Sequence, residues 1–323
     1  MRVYDNLDDI DIHEIGKPLA IALGNFDGVH RGHQQLLTRL KGFAQARDLE
    51  TVVFTFYPHP LALLKPDYNP KLILSVEDKL EMLAELGVET VILAPFDWQL
   101  AKMTAQEFVT NVLVDKLQVE GVFVGYNYTF GTGGAGNPET LSALANHHGF
   151  HLDVTDPVEV DGRVVSSSLI RKCIGNGWIR QAAQLLGYQP FLRGQVVHGE
   201  HRGRTIGFPT ANLELRSERI YPAPGVYAVV VEDQQQRYVG VANLGVKPTF
   251  SASNLPNLEV HLLEFEDDLY GRELKVEFIE KIRDEQKFVS IQALVTQIQN
   301  DVRATRNIVQ RLNSGFSHNL ADI

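Results

Sequence analysis

A chain of 323 residues, 44% hydrophobic and 22% charged, has the make-up of a soluble globular protein and is too long for a comfortable single core, so two domains are expected. Its formal net charge of −10 argues against broad nucleic-acid binding, which depends on Lys and Arg neutralising phosphates. No apolar stretch approaches the roughly 20 residues of a membrane span, and a single cysteine, Cys173, excludes an internal disulfide and a multi-cysteine zinc site. Cys173 is expected to be a small buried side chain. The N-terminal MRVYDNLDDIDIHE lacks the charged-then-apolar pattern of a secretory signal, so a cytoplasmic protein is expected.

The first half alternates apolar runs with helix-length amphipathic segments. Leu19–Leu23 predicts a strand and 33–47 a helix; 51–57, 89–96 and 121–126 predict further strands, and 77–87 and 105–117 further helices. Alternation of this kind implies a largely parallel sheet flanked by helices. After residue 187 the grammar changes to apolar runs punctuated by Gly, Pro and Asn: GQVVHG, PTANLEL, GVYAVVVED, RYVGVANLG, LEVHLLEF and LKVEFIEKI. These predict about six mostly antiparallel strands in a closed or nearly closed barrel. Two helical stretches, around 290–300 and 302–312, are expected to follow, which gives domains of 1–186 and 187–323.

The segment LGNFDGVHRGHQQLL, Leu23 to Leu37, sets a glycine-containing loop and two histidines where a strand hands over to a helix. Gly24, Gly28 and Gly32 let the backbone approach a ligand closely, and a helix start offers unpaired N–H groups to an anion. His30 and His33 share the loop if the helix begins between them, and an imidazolium there could stabilise charge developing on a transferred phosphoryl group. HxGH by itself also suits an incidental polar turn. A second element, SSSLIRK at 166–172, places hydroxyls at a helix start with Arg171 one turn on, suited to clamping phosphate; alone it reads equally as a helix cap. Aromatics beside turns at TFYPHP (55–60) and VGYNYTFGTGGAG (124–136) suit a flat ring system or simple core packing.

In the second half, GQVVHGEHRGRTIGFPTANLEL, Gly194 to Leu215, joins a loop rich in glycine and bearing Arg202 and Arg204 to the tetrad Pro209–Asn212. Thr210 and Asn212 lie two apart and would share a face of an extended segment, offering neutral oxygens to Mg²⁺. LEVHLLEF puts Glu259 and His261 on one strand face opposite Val260 and Leu262. A carboxylate held in a partly enclosed site can take the proton of an attacking alcohol.

Preceded by GNFDGV at a strand end, the HxGH segment resembles the signature of the nucleotidyltransferase superfamily with a Rossmann-like fold, and the serine run resembles that superfamily's S-[ST]-x-x-x-R element. GNFDGVH, the PHP turn, the GxNxxFG stretch and the SSS element together resemble the adenylyltransferase module of the bacterial bifunctional riboflavin kinase/FAD synthetase family. GFPTANL, GVYAVVV, NLGVKPTF, LEVHLLEF with DLYG, and RDEQKF resemble its riboflavin kinase module, in order. The resemblance implies a Rossmann-like α/β domain followed by a mostly antiparallel barrel with a C-terminal helix. It implies phosphorylation of riboflavin to FMN, then adenylylation of FMN to FAD with release of pyrophosphate, with ATP and Mg²⁺ required.

Residue by residue, the resemblance gives ATP to Gly24, Phe26, Asp27, Gly28, Ser166 and Ser167, with catalytic use of His30, His33 and Arg171, and turns Phe56, Pro58 and Asn127 to the flavin. In the second module it gives Mg·ATP to Thr210 and Asn212, the general base to Glu259, the nucleotide region to Gly199, Arg204 and Tyr270, and flavin contacts to Arg283 and Phe288. Two other readings stay open at this point: the same nucleotidyltransferase fold acting on a different phosphate-bearing acceptor, and a flavin carrier with one inactive site. The unbroken set His30, His33, Arg171, Thr210, Asn212 and Glu259 weighs against the carrier, which needs no phosphoryl-transfer groups.

Overall fold

In the computed structural model, which describes residues 1–65, 67, 70–199, 202–246 and 255–315, the chain divides into two units, Met1–Ser167 and Ser168–Ile323. In the first, strands β1 (Arg2–Tyr4), β2 (Leu19–Leu23), β3 (Glu50–Phe56), β4 (Thr90–Ala94), β5 (Val119–Gly125) and β6 (His151–Thr155) form one sheet in the order β1-β4-β3-β2-β5-β6, every pairing parallel. The central runs LAIAL and TVILA are buried at every position, as strands covered on both faces must be. Strand β2 pairs with both β3 and β5, so the strand order reverses there. Such a reversal opens a crevice at the carboxyl edge of the sheet, where ligands of this architecture bind.

The helix after β2 runs Arg31–Arg47, with Leu36, Leu37, Leu40 and Ala44 as its buried face. His30 is its N-cap, so the helix does begin between the two histidines. The expected helix over 105–117 takes a different form: a short α-turn, Ala105–Glu107, closed by a Thr104–Glu107 capping box, continues as a π-helix over Phe108–Lys116. The wider π turn still buries Phe108, Val109, Val112 and Leu113. A helix at Pro138–His148 and a small hairpin, β7 (Glu159–Val160) with β8 (Arg163–Val164), complete the unit's elements named here.

In the second unit, β9 (Phe191–Val197), β10 (Ala211–Leu213), β11 (Gly225–Asp233), β12 (Gln236–Val246), β13 (Pro256–Leu262) and β14 (Glu273–Arg283) close a six-stranded barrel in the order β10-β13-β12-β11-β14-β9, with β10 also paired to β9. All pairings are antiparallel. Strand alternation fills the interior with Val196, Leu213, Tyr227, Val229, Leu244, Leu258, Val260, Leu262, Val276 and Phe278.

Residues 290–312 do not form two helices. One continuous helix, Ile291–Gly315, packs Ile308 onto Ala228, Val230 and Ile279 on the outside of β11 and β14. Asp301, which falls between the two expected stretches, lies on the packed face of the helix with Arg283 as its partner. Among the described residues no helix is long and apolar enough to cross a membrane, and Cys173 is buried.

Candidate active sites

The loop leaving β2 is pinned from several sides. The Gly24 N–H donates to the Phe54 carbonyl at 3.2 Å, and the Asn25 carbonyl accepts from Thr55 Oγ1 at 3.0 Å. The Asp27 carboxylate turns inward and accepts from the N–H groups of Ile73 at 3.0 Å and Leu74 at 3.4 Å. The Asp27 carbonyl accepts from Ser167 Oγ at 2.9 Å, so the downstream serine element is tied to this loop. The clamps hold an unusual backbone: Phe26 and Val29 have φ of 49° and 35°, a region that costs a non-glycine residue roughly 1–3 kcal/mol. Gly28, with φ +84°, could not take a side chain without meeting Ile73 at 3.0 Å.

His30 and His33 stack with ring centroids 3.7 Å apart and planes 13° from parallel. His30 Nδ1 accepts the His33 N–H, which in the neutral tautomer leaves Nε2 as the N–H donor. A Cβ on Gly32 would come 3.2 Å from the His30 ring, so glycine here keeps the ring in place. Burial, then the proximity of His30 and Lys79, holds His33 well below the usual imidazole pKa, and its Nδ1 is buried with no hydrogen-bond partner among the described residues. His33 is therefore neutral near pH 7 until an anion arrives to favour its protonation.

Around this loop, Phe26 is fully buried against His33, with ring centroids 4.9 Å apart. Phe56 is half-buried and packs edge-on against Phe54 and Phe96. Pro58 and Asn127 are exposed on the loops leaving β3 and β5, beside the crevice. Ser166 and Ser167 are half-buried at the start of the helix Ser167–Gly175, and Arg171 lies one turn along it, in the second unit. Lys79, in the helix Val76–Glu85, is a group that sequence reasoning missed. It is only 8% exposed, and it donates to Thr55 Oγ1 at 3.2 Å and the Asn25 carbonyl at 3.4 Å.

The barrel carries a second constellation on its outward face. Glu259 on β13 stands beside Asn212 of β10 and Asn243 of β12 in the strand register, and Asn257 Nδ2 donates to its Oε1 at 2.6 Å. His261, on the same face, hydrogen-bonds the Pro209 carbonyl at 2.8 Å and so anchors the tetrad before Thr210. Two cavities meet at Thr210. One, of about 370 Å³, is lined by Thr210, Asn212, Tyr270 and the acidic turn Glu266–Asp268. The other, of about 270 Å³, has Glu259, Arg283, Glu285 and Asp301 as charged groups and an apolar wall of Phe208, Phe288, Leu294 and Ile298.

Tyr270 packs on His198 with ring centroids 4.1 Å apart. Gly199 lies so close to Asn212 that a Cβ would fall 2.6 Å from Asn212 Cγ and 2.8 Å from its Oδ1. Arg283 is held by Asp301, donating from Nε at 3.0 Å to Oδ1 and from Nη2 at 2.8 Å to Oδ2, and its guanidinium lies 5.8 Å from the Phe288 ring centroid. Asp301 is 3% exposed and is also bonded by Gln297. Glu200, His201, residues 247–254 and the side chains of Arg202 and Arg204 lie outside the described residues.

No group of three or more His, Cys, Asp or Glu suited to a metal occurs among the described residues. Thr210 and Asn212 instead offer neutral oxygens beside a cradle that a Cβ at Gly199 would fill. That donor set fits Mg²⁺ arriving on nucleotide phosphates, since the ion keeps several waters and takes few protein ligands.

Known proteins share both halves. A family model described as FAD synthetase matches residues 12–169, and one described as riboflavin kinase matches 186–309. The chain is 40% identical to the bifunctional riboflavin kinase/FMN adenylyltransferase of Escherichia coli strain K12 over 88% of this chain and 91% of that one. It is 39% identical to the protein of the same name from Bacillus subtilis strain 168, over 87% and 89%. A crystal structure from Streptococcus pneumoniae titled as a macrolide-efflux protein aligns with TM-score 0.86 and 37% identity, covering 94% of this chain and 98% of that one.

Proposed function

Because this chain belongs to the bifunctional riboflavin kinase/FMN adenylyltransferase family, it phosphorylates riboflavin to FMN and adenylylates FMN to FAD, and we propose that each reaction has its own site, one on the β2 loop and one on the outer face of the barrel. The observation that carries this reading is the contrast between them. The first site offers imidazoles and pinned backbone, with its Asp27 carboxylate turned inward onto the Ile73 and Leu74 N–H groups, whereas the second sets Glu259 in a cavity that adjoins a nucleotide-sized one at Thr210.

In the first module the FMN phosphate attacks the α-phosphorus of ATP; the new P–O bond forms as the α–β bridge breaks and pyrophosphate leaves. The nucleophile is already ionised, so the site has to position it and stabilise charge rather than take a proton. The N–H groups around Gly24 and Gly28 donate to the triphosphate, aided by Ser166 and Ser167; Arg171 carries the same task only by the resemblance of SSSLIRK to the S-[ST]-x-x-x-R element. Phe26 and Asp27 act by holding the loop, the ring under Gly24 and the carboxylate on Ile73 and Leu74. His30 and His33 donate to the oxygens where charge grows. Phe56, Pro58 and Asn127 face the flavin at the carboxyl edge.

In the second module the acceptor is a neutral ribityl hydroxyl. Glu259 takes its proton as the oxygen attacks the γ-phosphorus, and ADP departs. Thr210 and Asn212 would hold Mg²⁺ brought by ATP, which when bound offsets the charge of the phosphates. Tyr270 lines the nucleotide cavity and Gly199 abuts Asn212 beside it; Arg204, whose side chain lies outside the described residues, is assigned to the nucleotide by the family resemblance alone, while Arg283, fixed by Asp301, and Phe288 border the flavin cavity. The module boundary at 186/187 is supported by the start of the riboflavin kinase match at 186. ATP-dependent chemistry and a lone buried cysteine suit a cytoplasmic protein.

The test is to supply riboflavin or FMN with ATP and Mg²⁺ and resolve the products by chromatography. Glu259→Gln is expected to abolish FMN formation while FAD still forms from supplied FMN, and His30→Asn with His33→Asn the reverse. Loss of both activities in either folded variant would contradict separate sites.

A further inference from the structure

Among the buried ionisable groups that the mechanism leaves unused, Lys79 lies nearest the adenylyl-transfer loop. Lys79 sits beneath the β2 loop, where its ammonium makes its hydrogen bonds to two neutral oxygens, Thr55 Oγ1 and the Asn25 carbonyl. The Asp27 carboxylate, whose field offsets part of the cost of burying that charge, also accepts from the Ile73 and Leu74 N–H groups. Burying a cation among neutral dipoles is costly, and such a group survives where a charge of opposite sign completes it during function.

Three further observations give the direction. The Asn25 carbonyl is gripped by both Lys79 and Thr55, which points it into the protein, and because a trans peptide is planar the Phe26 N–H must point the opposite way, to the loop's open side. Phe26 is in the left-handed region at φ 49°, so this peptide orientation has to be enforced from outside. His33, which faces the same loop, has its imidazolium disfavoured in part by Lys79, which places the ammonium within electrostatic reach of the phosphate-binding side. Resting on the assignment of adenylyl transfer to this loop, we propose that Lys79 is a positioning residue for that reaction: it holds the Asn25–Phe26 peptide with its N–H toward the triphosphate and sets a positive charge behind it.

Burial lowers the Lys79 pKa to about 8, against the pull of Asp27, so the unliganded fold bears a cost that bound anion would relieve.

The experiment measures FAD formation from FMN and ATP, riboflavin kinase activity and thermal unfolding on the full chain for Lys79→Met, Thr55→Val and the His30→Asn/His33→Asn pair. Lys79→Met is expected to raise KM for ATP in FAD formation about 10- to 100-fold, the loss of a charge-assisted contact, with KM for FMN and the kinase unchanged and Tm equal to or above wild type. Thr55→Val, which removes one of the two grips on Asn25 but no charge, should raise the same KM several-fold. Unchanged KM for ATP in both variants, or a fall in Tm for Lys79→Met with no effect of Thr55→Val, would overturn the inference. If the histidine pair also left FAD formation intact, the siting of the reaction would fall with it; if the pair abolished FAD formation while both other variants were normal, only the role of Lys79 would fall.

Discussion

Replacing Gly199, two residues past the end of β9, with alanine adds one methyl group where Asn212 of β10 leaves little room. The new Cβ would run into the Asn212 amide, meeting Nδ2 first and lying 2.6 Å from Cγ, against an ordinary contact near 3.5 Å, so Asn212 or the Gly199 backbone has to give by more than about 1 Å. The backbone at Gly199 lies outside the left-handed region, which leaves steric overlap as the sole obstacle. Overpacking of this size costs about 1–3 kcal/mol. A shift of about 1 Å in a group that orients a reacting phosphate is worth up to about 100-fold in rate. Gly199→Ala should therefore lower kcat/KM for ATP in riboflavin phosphorylation by about that factor while FAD formation from FMN stays at the wild-type rate.

The double variant Gly199→Ala/Asn212→Ala relieves the overlap, so it should recover the unfolding free energy lost in the single variant without recovering the kinase. Kinase assays with ATP varied, alongside urea unfolding, read both quantities. A Gly199→Ala enzyme with unaltered KM and kcat for the kinase, or one equally impaired in both reactions, would refute the assignment of Asn212 and Gly199 to the nucleotide cavity.

The depressed pKa of His33 carries a signed consequence. The folded chain resists protonating this imidazole, so below the unfolded value near 6.5 the unfolded state binds more protons and stability falls with pH. His33→Asn should flatten unfolding free energy against pH between neutrality and about pH 5, measured by denaturant titration; an unchanged slope would contradict the burial argument. Asp301→Ala leaves Arg283 without its buried partner. It should destabilise the chain by roughly 3–5 kcal/mol and raise KM for riboflavin more than KM for ATP in steady-state kinase assays.

The parts of this architecture that announce themselves in sequence are those where one physical rule acts alone. LEVHLLEF alternates because Leu258, Val260 and Leu262 face the barrel interior while Glu259 and His261 face out. The β2 run LAIAL is continuously apolar because both faces are covered. Where two rules compete, the reading slips. Asp301 falls between the two stretches expected from apolar spacing, and the helix runs through it because the carboxylate is buried by pairing with Arg283. Lys79 reads as an exposed helix position because polar residues normally face solvent, and only the fold brings Thr55 and Asn25 to its ammonium.

The inward turn of the Asp27 carboxylate is likewise invisible in GNFDGVH, because its partners Ile73 and Leu74 lie some 46 residues away in a segment with no motif of its own. The π-helical turn at Phe108–Lys116 escapes for a related reason: its apolar spacing satisfies an α-helix equally well.

The central claim is that one chain holds two independent transfer sites, and complementation between variants tests it most directly. Glu259→Gln and His30→Asn/His33→Asn proteins are each given riboflavin, ATP and Mg²⁺, separately and then mixed, and FAD is quantified. Neither variant should make FAD alone, the histidine variant should accumulate FMN, and the mixture should convert that FMN to FAD. FAD from riboflavin in either variant alone, or none from the mixture, would contradict the account.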